Sequence, residues 1–173
     1  MIARTGSRPW RAALLVSVLA LAAARVADAE EARDLAYRRL NESFVQRHVL
    51  PRYARLAETT AALEAAAQRF CEAPGPVPGE ALRGAYHAAA DAWQGVQHVQ
   101  AGPISARLRA DRIAFWPDPR NATGRQLADL LAGPDPATLT AEGFVRASAA
   151  VQGFPAVEHL LFDPGAIRCL SDR

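Results

Sequence analysis

Two short segments concentrate the groups that could do chemistry. At 153–162 the run Gly-Phe-Pro-Ala-Val-Glu-His-Leu-Leu-Phe sets the carboxylate of Glu158 beside the imidazole of His159 in an otherwise apolar stretch. At 112–118 the run Arg-Ile-Ala-Phe-Trp-Pro-Asp puts a guanidinium, an indole and a carboxylate into one loop stiffened by proline. Glu158 is a candidate anionic anchor, since a buried carboxylate is rarely left unpaired and needs an Arg or a metal ion beside it. Arg112 can supply a bidentate partner. Trp116 can be a stacking platform or a core plug. Asp118 can cap a helix, ligate, or pair with Arg120.

Plainer readings account for the same residues: an exposed Glu on a bundle helix, and a packed loop lidding the bundle. Glu158 and His159 are adjacent, hence about 100° apart around a helix, and do not face one point. His159 reads as a rim or capping residue before a co-ligand, and both stay on the list of metal-ligand candidates. Pro155 cannot donate its N–H, and its ring obstructs the carbonyl four residues back at Val151, so that carbonyl needs another partner. His48 and His98 stand alone, and no HExxH spacing organises a His/Glu/Asp metal set. No Gly-rich phosphate loop, GxSxG elbow or Cys-His arrangement is present. No catalytic residue can be named from the sequence.

The elements that must hold these groups are helices. In 31–49, Tyr37, Leu40 and Phe44 fall on one face, with Val45 beside it. Pro51 predicts a kink or restart. A heptad stripe follows: Tyr53, Leu56, Thr60, Leu63, Ala67, Phe70. The Pro/Gly run 72–79 predicts a connector that is neither helix nor strand. A helix over 80–100 buries Leu82, Tyr86, Ala89, Trp93 and Val96, and Gly102-Pro103 ends it. A short helical piece is expected at 105–111 and irregular chain at 113–120. Thr123-Gly-Arg-Gln126 predicts a capping box opening a helix to Leu131. A helix over 139–152 is expected to continue through 154–162 beyond the Gly-Pro interruption. No period-two run is long enough for a strand. The fold class is all-α, an up-and-down bundle of four to five helices with Pro/Gly connectors.

The N-terminus bounds the setting. Arg4, Arg8 and Arg11 precede an apolar run at 12–24, and Ala27-Asp-Ala29 is a small-x-small cleavage signal, so residues 1–29 read as a signal peptide. The chain has 20 basic and 18 acidic residues, but four Arg and one Asp lie in that leader, so the rest carries about −1. Apparent basicity is therefore mostly leader, and a nucleic-acid partner loses its electrostatic motive. The two cysteines, Cys71 and Cys169, lack a CxxC spacing; in an oxidising compartment they are expected to pair. That disulfide would close about 100 residues, worth ~4–5 kcal/mol by chain entropy.

The Trp93 helix ending at Gly102-Pro103, the 112–118 loop and the 153–162 segment together resemble the imelysin (insulin-cleaving membrane protease) family, over about 35–170. The resemblance implies an all-helical exported envelope protein tied in several relatives to iron uptake, with two bundle-like halves. It also implies a GxHxxE motif whose His and Glu are proposed metal ligands between those halves. Here Gly153 and Glu158 stand in register, but Pro155 occupies the His position and has no lone pair for a metal. The implied cofactor, a divalent iron or zinc ion, loses a ligand, and peptidase activity is not carried over. By the same resemblance, residues 30–173 look like the first half of the family architecture, and the other wall of the cleft would then be expected from a second copy or a second-half partner.

The expected function is therefore that of a periplasmic or outer-membrane-associated binding protein for a small ligand or metal ion. Glu158, Arg112, Asp118 and Trp116 would line its site. The alternatives are a metal-dependent peptidase and a partner-docking helical domain that dimerises.

Overall fold

A computed structural model describes residues 9–133, 135 and 137–163, with side chains from 25 onward and at Leu19. It is all-α, and no strand occurs among the described residues. The chain forms two compact units, Met1–His48 and Val49–Arg173.

In the first unit a single helix, α1 (Pro9–Phe44), runs through the expected cleavage signal without a break. No helix among the described residues is long and apolar enough to cross a membrane. The expected apolar face of 31–49 is uncovered: Tyr37, Leu40 and Phe44 are all exposed. A π-helical turn, Val45–Val49, follows α1.

The second unit begins with α2 (Leu50–Glu72), which restarts the helix with Pro51 in its first turn. Proline is tolerated there because those N–H groups have no intrahelical acceptor. Three residues, 73–75, then lead into α3 (Pro76–Gln94). The 72–79 run is thus a correction: Pro76 and Pro78 start a helix instead of preventing one, for the same reason. So short a link makes α2 and α3 an antiparallel hairpin. Phe70, near the end of α2, lies beside Gly79 at the start of α3. At the opposite end the Tyr53 hydroxyl donates to the Val99 carbonyl at 3.1 Å.

The heptad stripe becomes the hairpin seam. Leu56 and Phe70 are buried, and Tyr53, Leu63 and Ala67 pack partly buried against the same core. Thr60 satisfies its hydroxyl on the Leu56 carbonyl at 2.8 Å. From α3, Leu82, Tyr86, Ala89 and Trp93 are buried, as is Val96 beyond it. Each large apolar side chain of this kind contributes ~1.5–3 kcal/mol of burial.

The helix expected over 80–100 ends earlier, at Gln94, where Gly95 begins a run of turns. The piece expected at 105–111 is a 3-10 stretch, Gly102–Leu108, followed by α4 (Arg109–Ile113). Arg107 and Leu108, both at φ +56°, separate the two. Residues 114–121 are irregular, as the prolines dictate. Then come α5 (Ala122–Ala132), α6 (Ala141–Arg146) and α7 (Gly153–Phe162). The single helix expected over 139–152 is instead α6 and a 3-10 turn, Ala149–Val151. Ser148 accepts from the Ala150 N–H there, a local bond that competes with the helical ladder. Packing of α7 on α3, α4 and α5 closes the unit.

The capping-box reading of Thr123 is also corrected. Asn121 caps α5, accepting from the Gly124 N–H, while Thr123 is buried inside the first turn. Cys71 is exposed at the end of α2. Its expected partner Cys169 lies outside the described residues.

Candidate functional site

Gly153 explains how the two chemistry-bearing segments meet. It opens α7 at φ +71°, and a Cβ there would stand 2.2 Å from the Ile113 carbonyl oxygen and 2.4 Å from that of Arg112. Only a residue without a side chain lets α7 approach the end of α4 so closely. Pro155 falls in the first turn of α7. Its missing N–H costs no helical hydrogen bond, so the interrupted ladder expected at Val151 does not arise; Val151 sits in the preceding 3-10 turn.

From that start, Phe154, Pro155 and Glu158 share a face of α7 and line a cleft of about 350 Å³. Tyr86, Trp93, Gln94 and Gln97 form the opposite wall, and Ala114 and Trp116 come from the loop after α4. A second cleft of about 400 Å³ shares Trp93, Gln97, Ala114 and Trp116 with the first and adds Gln100 and Asp111. Trp116 is 81 % exposed and borders both.

The sequence candidates separate into two groups. Glu158 and Trp116 come together; Arg112 and Asp118 do not join them. Arg112 is expected to partner Glu158 or to clamp an anion beside it, and the contact it makes here is a different one. Its guanidinium donates to the Val145 carbonyl near the end of α6 at 2.7 Å. Cations satisfy helix C-termini well, because the last carbonyls have no intrahelical donor. Asp118 accepts from the Ala122 N–H at 2.7 Å and the Thr123 N–H at 2.8 Å, covering the start of α5. The Thr123 and Ala122 amides hold its carboxyl below the usual aspartate range.

Glu158 is exposed on α7, and its partner is Tyr86. The Tyr86 phenol lies close enough to the carboxylate to feel its charge. Burial first, then the interaction with the charged Glu158, push the phenol up to about 12. A buried phenol must place its O–H, and that is the one signal by which Tyr86 could have been flagged as more than core. His159 is turned away, as adjacent helical positions require. Its Nδ1 lies 2.6 Å from Asp163 Oδ2, and it borders a separate groove of about 210 Å³ with Leu127 and Leu131 of α5.

The family model described as Imelysin matches residues 49–172. The chain belongs to the imelysin family. Among solved structures it resembles an imelysin-like protein from Psychrobacter arcticus 273-4, with 33% sequence identity and a TM-score of 0.63. The match covers 69% of this chain and 38% of that one, so the chain spans well under half of that relative's length. No curated protein matches.

The imelysin resemblance implies a divalent metal, and the residues here do not fit one. Pro155 replaces the motif's His. The partner of Glu158 is a phenol pushed to about 12, a poor ligand at neutral pH. No group of three or more His, Cys, Asp or Glu is placed to hold a metal ion among the described residues. A divalent site needs about three such ligands. The arrangement suits reversible binding: one carboxylate, two carboxamides and two indoles around a concave, partly apolar surface.

Proposed function

We propose that this chain is an exported, non-proteolytic binding protein of the imelysin family, which holds a small ligand in the cleft between Glu158 and Trp116. The observation that carries the reading is the cleft itself. It brings Glu158 against Tyr86 and an exposed indole and has no histidine in its wall. Residues 1–29 support export, and with it a periplasmic setting. The iron connection implied by the resemblance then rests on handling of a bound ligand, not on a metal centre at Glu158.

Two measurements test the reading. Incubation with an unfolded protein substrate and Zn or Fe ions should give no cleavage. Thermal melts with the same ions should not move; a real site at 100 times its Kd would add ~2.7 kcal/mol. Metal-dependent cleavage, or a metal-induced shift lost in Glu158→Gln, would replace binding with the peptidase reading.

A second reading is favoured by the uncovered face of α1, where Tyr37 is 58 %, Leu40 63 % and Phe44 46 % exposed. A second copy of the chain would cover it. Light scattering should then give a dimer that Leu40→Glu converts to monomer.

A further inference from the structure

We propose that Cys71 and Cys169 of one chain form a disulfide, which ties the chain after α7 to the end of α2 and holds the α7 wall of the cleft against the α2–α3 hairpin. This rests on the export reading above, which supplies the oxidising compartment.

The direction of α7 carries the inference. Near its start, Phe154 and Pro155 border the same cleft as Trp93, Gln94 and Gln97 at the far end of α3. At its last residue, the Phe162 ring lies 5.2 Å from that of His87 and 5.5 Å from that of Tyr86, nearer the start of α3. So α7 runs antiparallel to α3, and the chain leaves it heading for the end of the hairpin where α2 stops and α3 begins. Cys71 is at that end and is exposed. It follows Phe70, whose ring would stand 3.6 Å from a Cβ added at Gly79.

The span can be closed. His87 is eight residues past Gly79, which is ~12 Å of helix. Steps of ~8–10 Å between helix axes lead from α7 across α3 to α2. Phe162 and Cys71 are therefore ~15–22 Å apart. Cys169 is seven residues past Phe162, ~23–25 Å of extended chain. The disulfide itself bridges a further ~5.5 Å between Cα atoms. With two cysteines in the sequence, one intramolecular pairing exists. Both lie within the 49–172 stretch that the family model matches.

The anchoring of α7 is uneven, which gives the tie its purpose. Its start is clamped by the close approach of Gly153 to α4. Its end rests through Phe162, 39 % exposed, on the exposed His87 and on Tyr86. A helix of 10 residues is too short to hold itself. A covalent tie beyond Phe162 secures that end, and with it Glu158 one turn before.

A disulfide donor, glutathione disulfide or a protein thiol oxidant, balances the step. One cysteine thiolate attacks it, forms a mixed disulfide and releases one thiolate; the second cysteine displaces the other. The oxidant takes both electrons, and the two protons lost by the cysteines end on the two thiols released.

Peptide mass mapping of the full chain, oxidised with glutathione disulfide and kept non-reduced, tests the pairing. A linked pair of peptides carrying Cys71 and Cys169, from a monomer lighter by two hydrogen atoms, is expected. Free thiols, stable glutathione adducts on both cysteines, or a disulfide-linked dimer overturn it. Melting and hydrogen exchange test the tie. Reduction should lower the melting temperature by several degrees and speed amide exchange several-fold at the end of α7. Cys71→Ser and Cys169→Ser should each give that same loss under oxidising conditions, the double variant no more, and all should melt with the parent once reduced. A linked pair whose reduction leaves exchange in α7 unchanged overturns the role of the tie in the cleft. A chain that pairs in glutathione buffer but is recovered from cells with free thiols overturns the export reading and leaves the pairing standing.

Discussion

Gly153→Ala should be the most damaging single methyl that can be added near the site. The residue sits at φ +71°, where a side chain costs ~1–2 kcal/mol. The new Cβ would also lie 2.2 Å from the Ile113 oxygen, whereas real Cβ contacts stay beyond 3.0 Å. The α4–α7 contact must therefore open by nearly an ångström, and forced shifts of this kind cost ~1–3 kcal/mol. Stiffening of the unfolded chain returns ~0.4–1 kcal/mol. The net loss is ~1.5–4 kcal/mol, which at ~4 °C per kcal/mol lowers the melting temperature by ~6–16 °C. Circular dichroism melts of the two proteins measure it. Gly84 in α3, with nothing within 4 Å of an added Cβ, is the control. Gly84→Ala should raise stability by ~0.5–1 kcal/mol. If Gly153→Ala melts within ~2 °C of the parent, the close approach of α7 to α4 is wrong.

Other consequences concern single groups. Tyr86→Phe removes a hydroxyl that lies beside a solvent-exposed carboxylate and should cost at most ~1 kcal/mol. The folded Tyr86 keeps its proton up to about 12, so its contribution is complete below the unfolded phenol value of 10.0 and is lost as pH rises between the two. Alkaline unfolding should be shallower in Tyr86→Phe, and phenolate absorbance in the parent should show a latest-titrating tyrosine that this variant lacks, with Tyr53, raised by burial, delayed as well. Asp118 has the opposite sign. Its carboxyl is held below the ordinary value of 3.8, so its contribution is present above that pH and is lost as pH falls below it. Asp118→Asn should lower the melting temperature at neutral pH and flatten the acid limb. Arg112→Ala should loosen the end of α6, read as faster hydrogen exchange there, and leave ligand affinity at Glu158 unchanged.

The sequence by itself determined the helical class, the family and the seam of the α2–α3 hairpin. Leu56, Phe70, Leu82, Tyr86, Ala89 and Trp93 are buried where their spacing put them. Periodicity reports such faces because it is local: every 3.6 residues the same side of one helix returns. The segment 153–162 was legible as helix for the same reason, and the separation of Glu158 from His159 followed from one residue's rotation.

Partner choice was decided only in three dimensions. Arg112 carries the same charge whether it meets Glu158 or a helix-end carbonyl, and only the path of the chain between them selected Val145. Asp118 could cap, ligate or pair; the turn after Pro119 brought the α5 amides to it. The prolines at 76 and 78 look like breakers in the sequence and open α3 in the fold, because proline breaks a helix interior but is tolerated in its first turn, and position within an element is not written in a residue's type. The Tyr86–Glu158 pair joins groups 72 positions apart, and no local pattern encodes such a contact.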